Sequence, residues 1–178
     1  TRNHCTVITP KQVKCCGMPA IGYGHRETAQ EMARFNIALF EEYDVEAIVT
    51  DCATCGSVLK EYEELLADDP EWAERATSFS HKVRDISEFL MEIPLEKPEG
   101  RLETRVTYHD PCHLRRGQGV WEQPRALMQL IEGVEFVEMN EADWCCGSAG
   151  SQLITHPETS LKVLKRKMDN AEATGAEI

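Results

Sequence analysis

Seven of the eight cysteines in this 178-residue chain stand in arrangements that suit a thiophilic metal site. Two adjacent pairs are each followed by glycine, as Cys15-Cys16-Gly17 and Cys145-Cys146-Gly147. Two further thiols form Cys52-x-x-Cys55, and Cys112 lies within Asp110-Pro111-Cys112-His113. Thiolate is the soft ligand that iron–sulfur clusters and zinc prefer. A cubane cluster or a zinc ion takes four such ligands. Adjacent cysteines are awkward as two ligands of one tetrahedral ion, yet they can reach neighbouring irons of one cluster. A secreted disulfide scaffold would be shorter and less helical in pattern. The spacing therefore points to an iron–sulfur cluster, of the 4Fe–4S type or non-cubane, with zinc as the alternative occupant. The competing reading is a set of buried structural thiols.

These residues recur. A shift of 130 residues lays the first Cys-Cys-Gly on the second and VEAI (residues 45–48) on GAEI (residues 175–178). Glu27-Thr28 meets Glu158-Thr159 once one residue is inserted, and residues 4–9 fall on 134–139. Read across both copies, one unit is Cys, 32 residues, Cys-Cys, 35 residues that begin with glycine, Cys-x-x-Cys. Counterparts of Cys52 and Cys55 would fall past residue 178, and that of Cys112 before residue 1. The expectation is thus a first repeat over 1–93 that lacks its N-terminal start and a second over 101–178 that lacks its closing Cys-x-x-Cys. Residues 94–100 (PLEKPEG), with two prolines and a glycine, read as the linker between them. The ligand assignment is Cys15, Cys16, Cys52 and Cys55 at one site and Cys112, Cys145 and Cys146 at the other. Cys5 has Glu135 as its repeat mate and stays outside both.

The elements that must position these thiols alternate between strand and helix. Residues 6–9 read as a strand, and residues 26–44 as a helix with Ala29, Met32, Ala33, Ile37 and Phe40 at helical spacing. The β-branched run at 45–50 reads as a buried strand ending at the Cys-x-x-Cys. Helices are expected over 57–67, broken by Asp68-Asp69-Pro70, and over 71–79 and 83–93. In the second half a strand over 105–109 leads into Cys112. A helix over 124–131, a strand over 134–139 and a helix over 157–173 follow. This order implies an α/β fold of two pseudo-symmetric repeats, each a short, mostly parallel sheet flanked by helices. In such sheets ligands collect beyond the carboxyl ends of strands, which is where Cys52, Cys55 and Cys112 fall. Gly17 and Gly147 would let the backbone approach a bulky inorganic group.

Composition narrows the partners. Asp and Glu outnumber Lys and Arg by 31 to 19, for a formal charge of −12. Nucleic-acid binding needs the opposite excess, so no nucleic-acid partner is expected. No apolar run approaches the roughly 18 residues of a membrane span. Residues 1–16 lack the charged, apolar and small-residue regions of a signal peptide, so a cytoplasmic location is expected.

Several residues could assist the thiols. His109 and His113 flank Cys112 and could tune a cluster by hydrogen bonds to sulfur, or simply cap the loop. His25, near the first pair, is a weaker candidate of the same kind. Arg115 and Arg116 could offset the negative charge of a thiolate-bound cluster or meet a carboxylate substrate, with a plain solvated arginine as the competing reading. Trp72, Trp121 and Trp144 read as core or interface aromatics, not electron relays.

The wider text resembles a known family. YHDPCHLRRGQGV (residues 108–120), ADWCCGSAG (residues 142–150) and a helix ending in ATGAE (residues 173–177) are similar to the cysteine-rich CCG repeat. That repeat occurs in the cysteine-rich subunit of heterodisulfide reductase, in bacterial lactate-utilisation iron–sulfur proteins and in the glycolate oxidase iron–sulfur subunit, and the last is the nearest in text. The resemblance implies an iron–sulfur electron-transfer subunit of an oxidoreductase complex. Its donor would be a flavin-binding dehydrogenase that oxidises a 2-hydroxy acid such as glycolate or lactate. Its acceptor would be a quinone or another carrier, with a peripheral position at the inner face of the cytoplasmic membrane. The alternative implied by the heterodisulfide reductase relatives is a catalytic subunit that cleaves a disulfide at an unusual cluster. A zinc-stabilised interaction module is a third reading.

Overall fold

The computed structural model describes residues 2–148 and 150–178. Thr1, at the start of the expected first repeat, and Ala149, inside ADWCCGSAG, lie outside the described residues. The chain divides into two compact units, Thr1–Leu95 and Glu96–Ile178.

The first unit contains α1 (Met18–Gly22), α2 (Arg26–Glu41), β1 (Ile48–Thr50), α3 (Ala53–Lys60), α4 (Tyr62–Leu65), α5 (Ala73–Lys82), β2 (Val83–Asp85) and α6 (Ile86–Glu92). Its core forms where α2 turns Ala29, Ala33 and Ile37, spaced four apart, against Val58, Tyr62, Leu66, Ala76 and Phe79. Tyr62 stacks on Phe79 with ring centroids 5.4 Å apart, and Phe40 meets Phe79 edge-on at 5.8 Å. Aromatic pairs in these geometries add to the stabilisation that burial alone provides. β1 and β2 pair in parallel, Ile48 opposite Val83 and Thr50 opposite Asp85, with Ile48 and Val83 both buried in the core.

Three expectations change here. Residues 83–85 are strand, not the first turn of a helix. Val83 gains more by pairing beside Ile48 in the core than by joining a helix, and the helix begins only after Asp85. Asp85 caps it: the carboxylate accepts from the Ser87 amide at 2.9 Å while the Glu88 side chain accepts from the Asp85 amide at 3.1 Å. Residues 4–9 form no strand, because a strand exists only beside another segment that takes its amides and carbonyls in register. No strand among the described residues runs alongside them, and Val7 and Ile8 stay 69% and 48% exposed. The strand expected over 45–50 is regular only at Ile48–Thr50.

The second unit contains β3 (Arg101–Val106), a π-helical turn at His113–Gly117, α7 (Glu122–Gln129), β4 (Glu132–Phe136), α8 (Gln152–Thr155) and α9 (Pro157–Glu172). β3 starts and ends earlier than expected and pairs in parallel with β4, with Arg105 opposite Glu135 and Val106 opposite Phe136. On its other side Glu177 N donates to Arg105 O and Thr107 N to Ile178 O, both at 2.9 Å. Pro124 is tolerated in α7 because it falls in the first turn, where its missing amide has no partner to lose. Apolar burial is sparser here. Val106, Leu114, Val120, Met139 and Ala142 are buried alongside Asp110 and Lys167.

Both units are thus α/β, each with a two-stranded parallel sheet and a Cys-Cys-Gly followed by a sixteen-residue helix, α2 in one and α9 in the other. In the first unit both strands follow the Cys-Cys-Gly, and in the second both precede it.

The Asp85 cap yields a test of the first unit. Asp85→Ala removes the acceptor for the Ser87 amide and hydroxyl and should lower unfolding stability by about 1–2 kcal/mol. Urea titration followed by circular dichroism reads this as a lower midpoint at unchanged slope. An unchanged midpoint would show that α6 does not depend on the cap.

Candidate metal centres

In the first unit the four assigned thiols come together where β1 ends. Cys52 follows β1 and occupies the N-cap of α3, its sulfur accepting from the Cys55 amide at 3.5 Å. Cys55 lies one turn into the helix. Its thiol has the Cys52 and Cys16 thiols as electrostatic neighbours, and Cys16 has Cys15. Burial pushes the Cys55 thiol well above the ordinary thiol range, and the neighbouring Cys52 and Cys16 sulfurs push the same way. Burial also raises Cys16, with Cys15 adding to the effect against a lowering from the Met18 amide and Cys55. Cys15 and Cys52 are exposed at the surface of this group.

A buried polar clamp holds the loop that carries the pair. Asn36, on α2, accepts from the Lys14 amide at 2.9 Å and donates to the carbonyls of Lys14 and Cys15 at 3.3 Å each. It also reaches the Tyr62 hydroxyl at 3.2 Å, and that hydroxyl donates to Cys16 O at 3.0 Å. Every backbone oxygen from Lys14 to Cys16 is therefore gripped from the core.

Gly17 and Gly147 have left-handed backbones, φ 98° and 80°. Each glycine has a packing role of its own. A Cβ at Gly17 would lie 3.3 Å from Ala29 Cβ, and one at Gly147 would collide with the Ser160 carbonyl. The missing side chain makes room for α2 in the first unit and for α9 in the second.

In the second unit the Cys112 loop and the Cys145-Cys146 loop are tied together by backbone and charge. Asp110 N donates to Ala142 O at 2.9 Å, and Arg116 reaches Asp143 at 3.3 Å. Asp110 is buried and receives Arg115 at 2.5 Å and Arg125 at 2.6 Å, while Arg125 also binds Glu138 at 2.7 Å. Burial works against ionising Asp110, and the hydrogen bonds from Arg125 and Arg115 overcome it, leaving its pKa below the usual carboxylate value. Cys145 Sγ accepts the Gly147 amide at 3.3 Å, and Cys112 Sγ faces His113 Nδ1 at 3.7 Å. His109 points instead to the Lys167 ammonium, 2.9 Å from its Nδ1. Arg115 serves the buried Asp110, and Arg116 is the solvated member of the pair. The three tryptophans each lie under an arginine: Arg75 over Trp72 at 3.7 Å, Arg166 over Trp144 at 3.9 Å and Arg115 over Trp121 at 5.1 Å.

Among the described residues, no three His, Cys, Asp or Glu side chains converge as a site for a single metal ion. The first unit nonetheless strings four soft thiols, Cys15 to Cys16 to Cys55 to Cys52, near the carboxyl end of β1, a donor set whose chemistry suits a thiolate-held cluster. The sequence reading missed Asn36, Tyr62 and Lys167. The signal was present in the helix pattern, since a polar residue on the core-facing stripe must have a buried partner.

The cysteine-rich CCG domain matches the chain over residues 1–60 and 106–178. A probable glycolate oxidase iron-sulfur subunit of Bacillus subtilis is 44% identical over 174 residues, 97% of this chain and 39% of that protein. An uncharacterized iron-sulfur protein of Methanococcus maripaludis is 38% identical over 97% of this chain and 32% of its own length. Lactate utilization protein A of Shouchella clausii is 32% identical over 99% of this chain and 74% of that protein. The chain thus spans about two fifths or less of the first two relatives.

The burial pattern predicts an order of thiol reactivity. In metal-free protein, iodoacetamide should label Cys15 and Cys52 well before Cys16 and Cys55, which are screened and held protonated. Tyr62→Phe, which removes the hydroxyl donor to Cys16 O, should speed labelling of Cys16. Peptide mapping of timed samples checks both, and uniform labelling rates would contradict the arrangement.

Proposed function

Since the chain belongs to the family of the cysteine-rich CCG domain, we propose that it is an iron–sulfur electron-transfer subunit of an oxidoreductase, in which each unit holds a thiolate-bound cluster. The observation that carries this reading is the meeting of Cys15, Cys16, Cys52 and Cys55 at the carboxyl end of β1. Cys112, Cys145 and Cys146 form the corresponding set of the second unit.

A bound cluster, of the 4Fe–4S type or non-cubane, supplies one-electron storage at each set. The chain's own residues do the rest. Asn36 and Tyr62 fix the backbone of the first pair, and the Asp110–Arg125 ion pair fixes the approach to Cys112. The amides of Cys55 and Gly147 donate to the sulfurs of Cys52 and Cys145, and hydrogen bonds to sulfur tune a cluster's potential. His113 faces Cys112 and is placed to act in the same way; His109 and Arg116 act through the loops they brace.

The donor in this proposal is a flavin-binding dehydrogenase that oxidises a 2-hydroxy acid, glycolate or lactate, and the acceptor is a quinone or another carrier. The relatives whose names refer to glycolate oxidase and lactate utilization support that choice. No helix among the described residues is long and apolar enough to cross a membrane.

Reconstitution with iron and sulfide in the absence of oxygen tests the reading. The chain should take up both elements in equal amounts and gain a broad visible absorption that bleaches with dithionite. Cys55→Ser should remove the share held by the first unit and leave that of the second. Uptake of zinc with no acid-labile sulfide would replace the proposal with a zinc site.

A further inference from the structure

The two units hold a buried polar side chain at one and the same helical position, and the two side chains differ in charge. α2 and α9 are each sixteen residues long, and their eleventh residues are Asn36 and Lys167. Asn36 is 1% exposed and Lys167 4%. Each donates to main-chain carbonyls of the loop that carries its cysteine pair. Asn36 takes those of Lys14 and Cys15, and Lys167 takes Ala142 O at 2.8 Å and Glu141 O at 3.4 Å. The third proton of Lys167 points to His109 Nδ1 at 2.9 Å, three residues before Cys112. Burial and then the Lys167 charge lower the pKa of His109 and keep the ring neutral; its Nδ1, which also lies 3.3 Å from Ala142 O, accepts from Lys167 in the tautomer that carries the proton on Nε2.

All three acceptors of Lys167 are therefore neutral. The nearby carboxylates are already compensated: Asp110 and Glu138 by Arg115 and Arg125, Asp143 by Arg116. A buried ammonium without an anionic partner is costly, and folded proteins rarely keep one unless it serves a charge elsewhere. Burial lowers its pKa, and Asp110, Asp143 and then the sulfurs of Cys146 and Cys145 oppose that lowering, so the thiols of the second unit lie within its field.

We infer that Lys167 is the built-in counter-charge of the second thiol site, a positioning residue that braces both of its loops and makes that site easier to reduce than the first, where neutral Asn36 stands in its place. This rests on the reading that the thiols hold iron–sulfur clusters. Each electron accepted at the site, from reduced flavin in the proposed complex or from dithionite in the test, adds one negative charge. A fixed positive charge in a low-dielectric surrounding favours that state and raises the potential.

The test uses the full chain with Cys15→Ser and Cys16→Ser, so that only the second unit loads, reconstituted without oxygen as the parent, Lys167→Met and Lys167→Arg. Iron and sulfide per chain are measured first. A mediated redox titration is then followed by electron paramagnetic resonance. The expected result is equal iron in all three, a lower midpoint potential in Lys167→Met and a potential close to the parent in Lys167→Arg. Equal iron with an unchanged potential in Lys167→Met would overturn the inference, as would the same fall in both variants. If Lys167→Met does not load, Asn36→Lys in a Cys145→Ser, Cys146→Ser chain carries the test. Its first-site potential should rise, and no rise overturns the inference. A parent chain that takes up no iron would instead remove the cluster reading beneath it.

Discussion

In both units the glycine after the cysteine pair lies so close to the sixteen-residue helix, α2 or α9, that no other residue would fit without displacement. The left-handed backbone at Gly17 and Gly147 already disfavours an L side chain by about 1 kcal/mol or more. The approach of Ala29 and of the Ser160 carbonyl then leaves no space for a Cβ to occupy freely. Ser160 Oγ also donates to Gly147 O from a buried position, so loop and helix are joined by a bond as well as by contact. Seating the helix there fixes what happens two turns along. Asn36 stands seven residues after Ala29, and Lys167 seven after Ser160, so each falls on the same face and beneath the same loop. The glycine contact thereby sets the backbone that presents the thiols.

From that shared contact the units diverge in how they are stabilised. The first is organised by apolar burial around Tyr62 and Phe79, and its polar clamp is neutral. Truncating Phe79 would forfeit about 3–5 kcal/mol of burial and packing. The second replaces much of that apolar content with charge. Arg125 is shared between Asp110 and Glu138, and Lys167 lies under the turn at 141–142. A buried ion pair such as Asp110–Arg125 adds little net stability over apolar residues, but loss of one partner leaves the other charged and dry, at a cost of about 3–5 kcal/mol. Its effect is to specify geometry, here the relative placement of the strand end before Cys112 and the loop before Cys145. Helix α9 adds to this grip through Arg166, which pairs with Glu141 and covers Trp144.

Burial of Cys16 and Cys55 has a chemical consequence for any metal the first unit holds. Both thiols are held protonated by desolvation, and a metal must displace those protons to bind sulfur. Exposed Cys15 and Cys52 are the natural first contacts, with the two inner thiols completing the set. The apolar cluster is built mainly from carbon, with Cys16 as its one fully buried thiol. In this it differs from zinc fingers, whose folding free energy is the metal's.

Residue order was enough to establish that the chain is α/β with two cysteine-rich repeats, because periodicity and the 130-residue shift are properties of order alone. It was also enough to say which residues bear sulfur and which helices are amphipathic; α2, α7 and α9 fall within a few residues of their expected bounds. Strands were less legible. Val83 to Asp85 became strand, and residues 4–9 did not, because a strand exists only by pairing and pairing joins segments distant in the chain. The reason for the glycines, and the burial of Cys16 beside exposed Cys15, emerge only in the folded chain. So does the arrival of Asn36 and Lys167 at the same place under two loops. Each of these depends on what lies across a core from the residue, and hydrogen-bond partners more than twenty positions apart leave no local pattern to read.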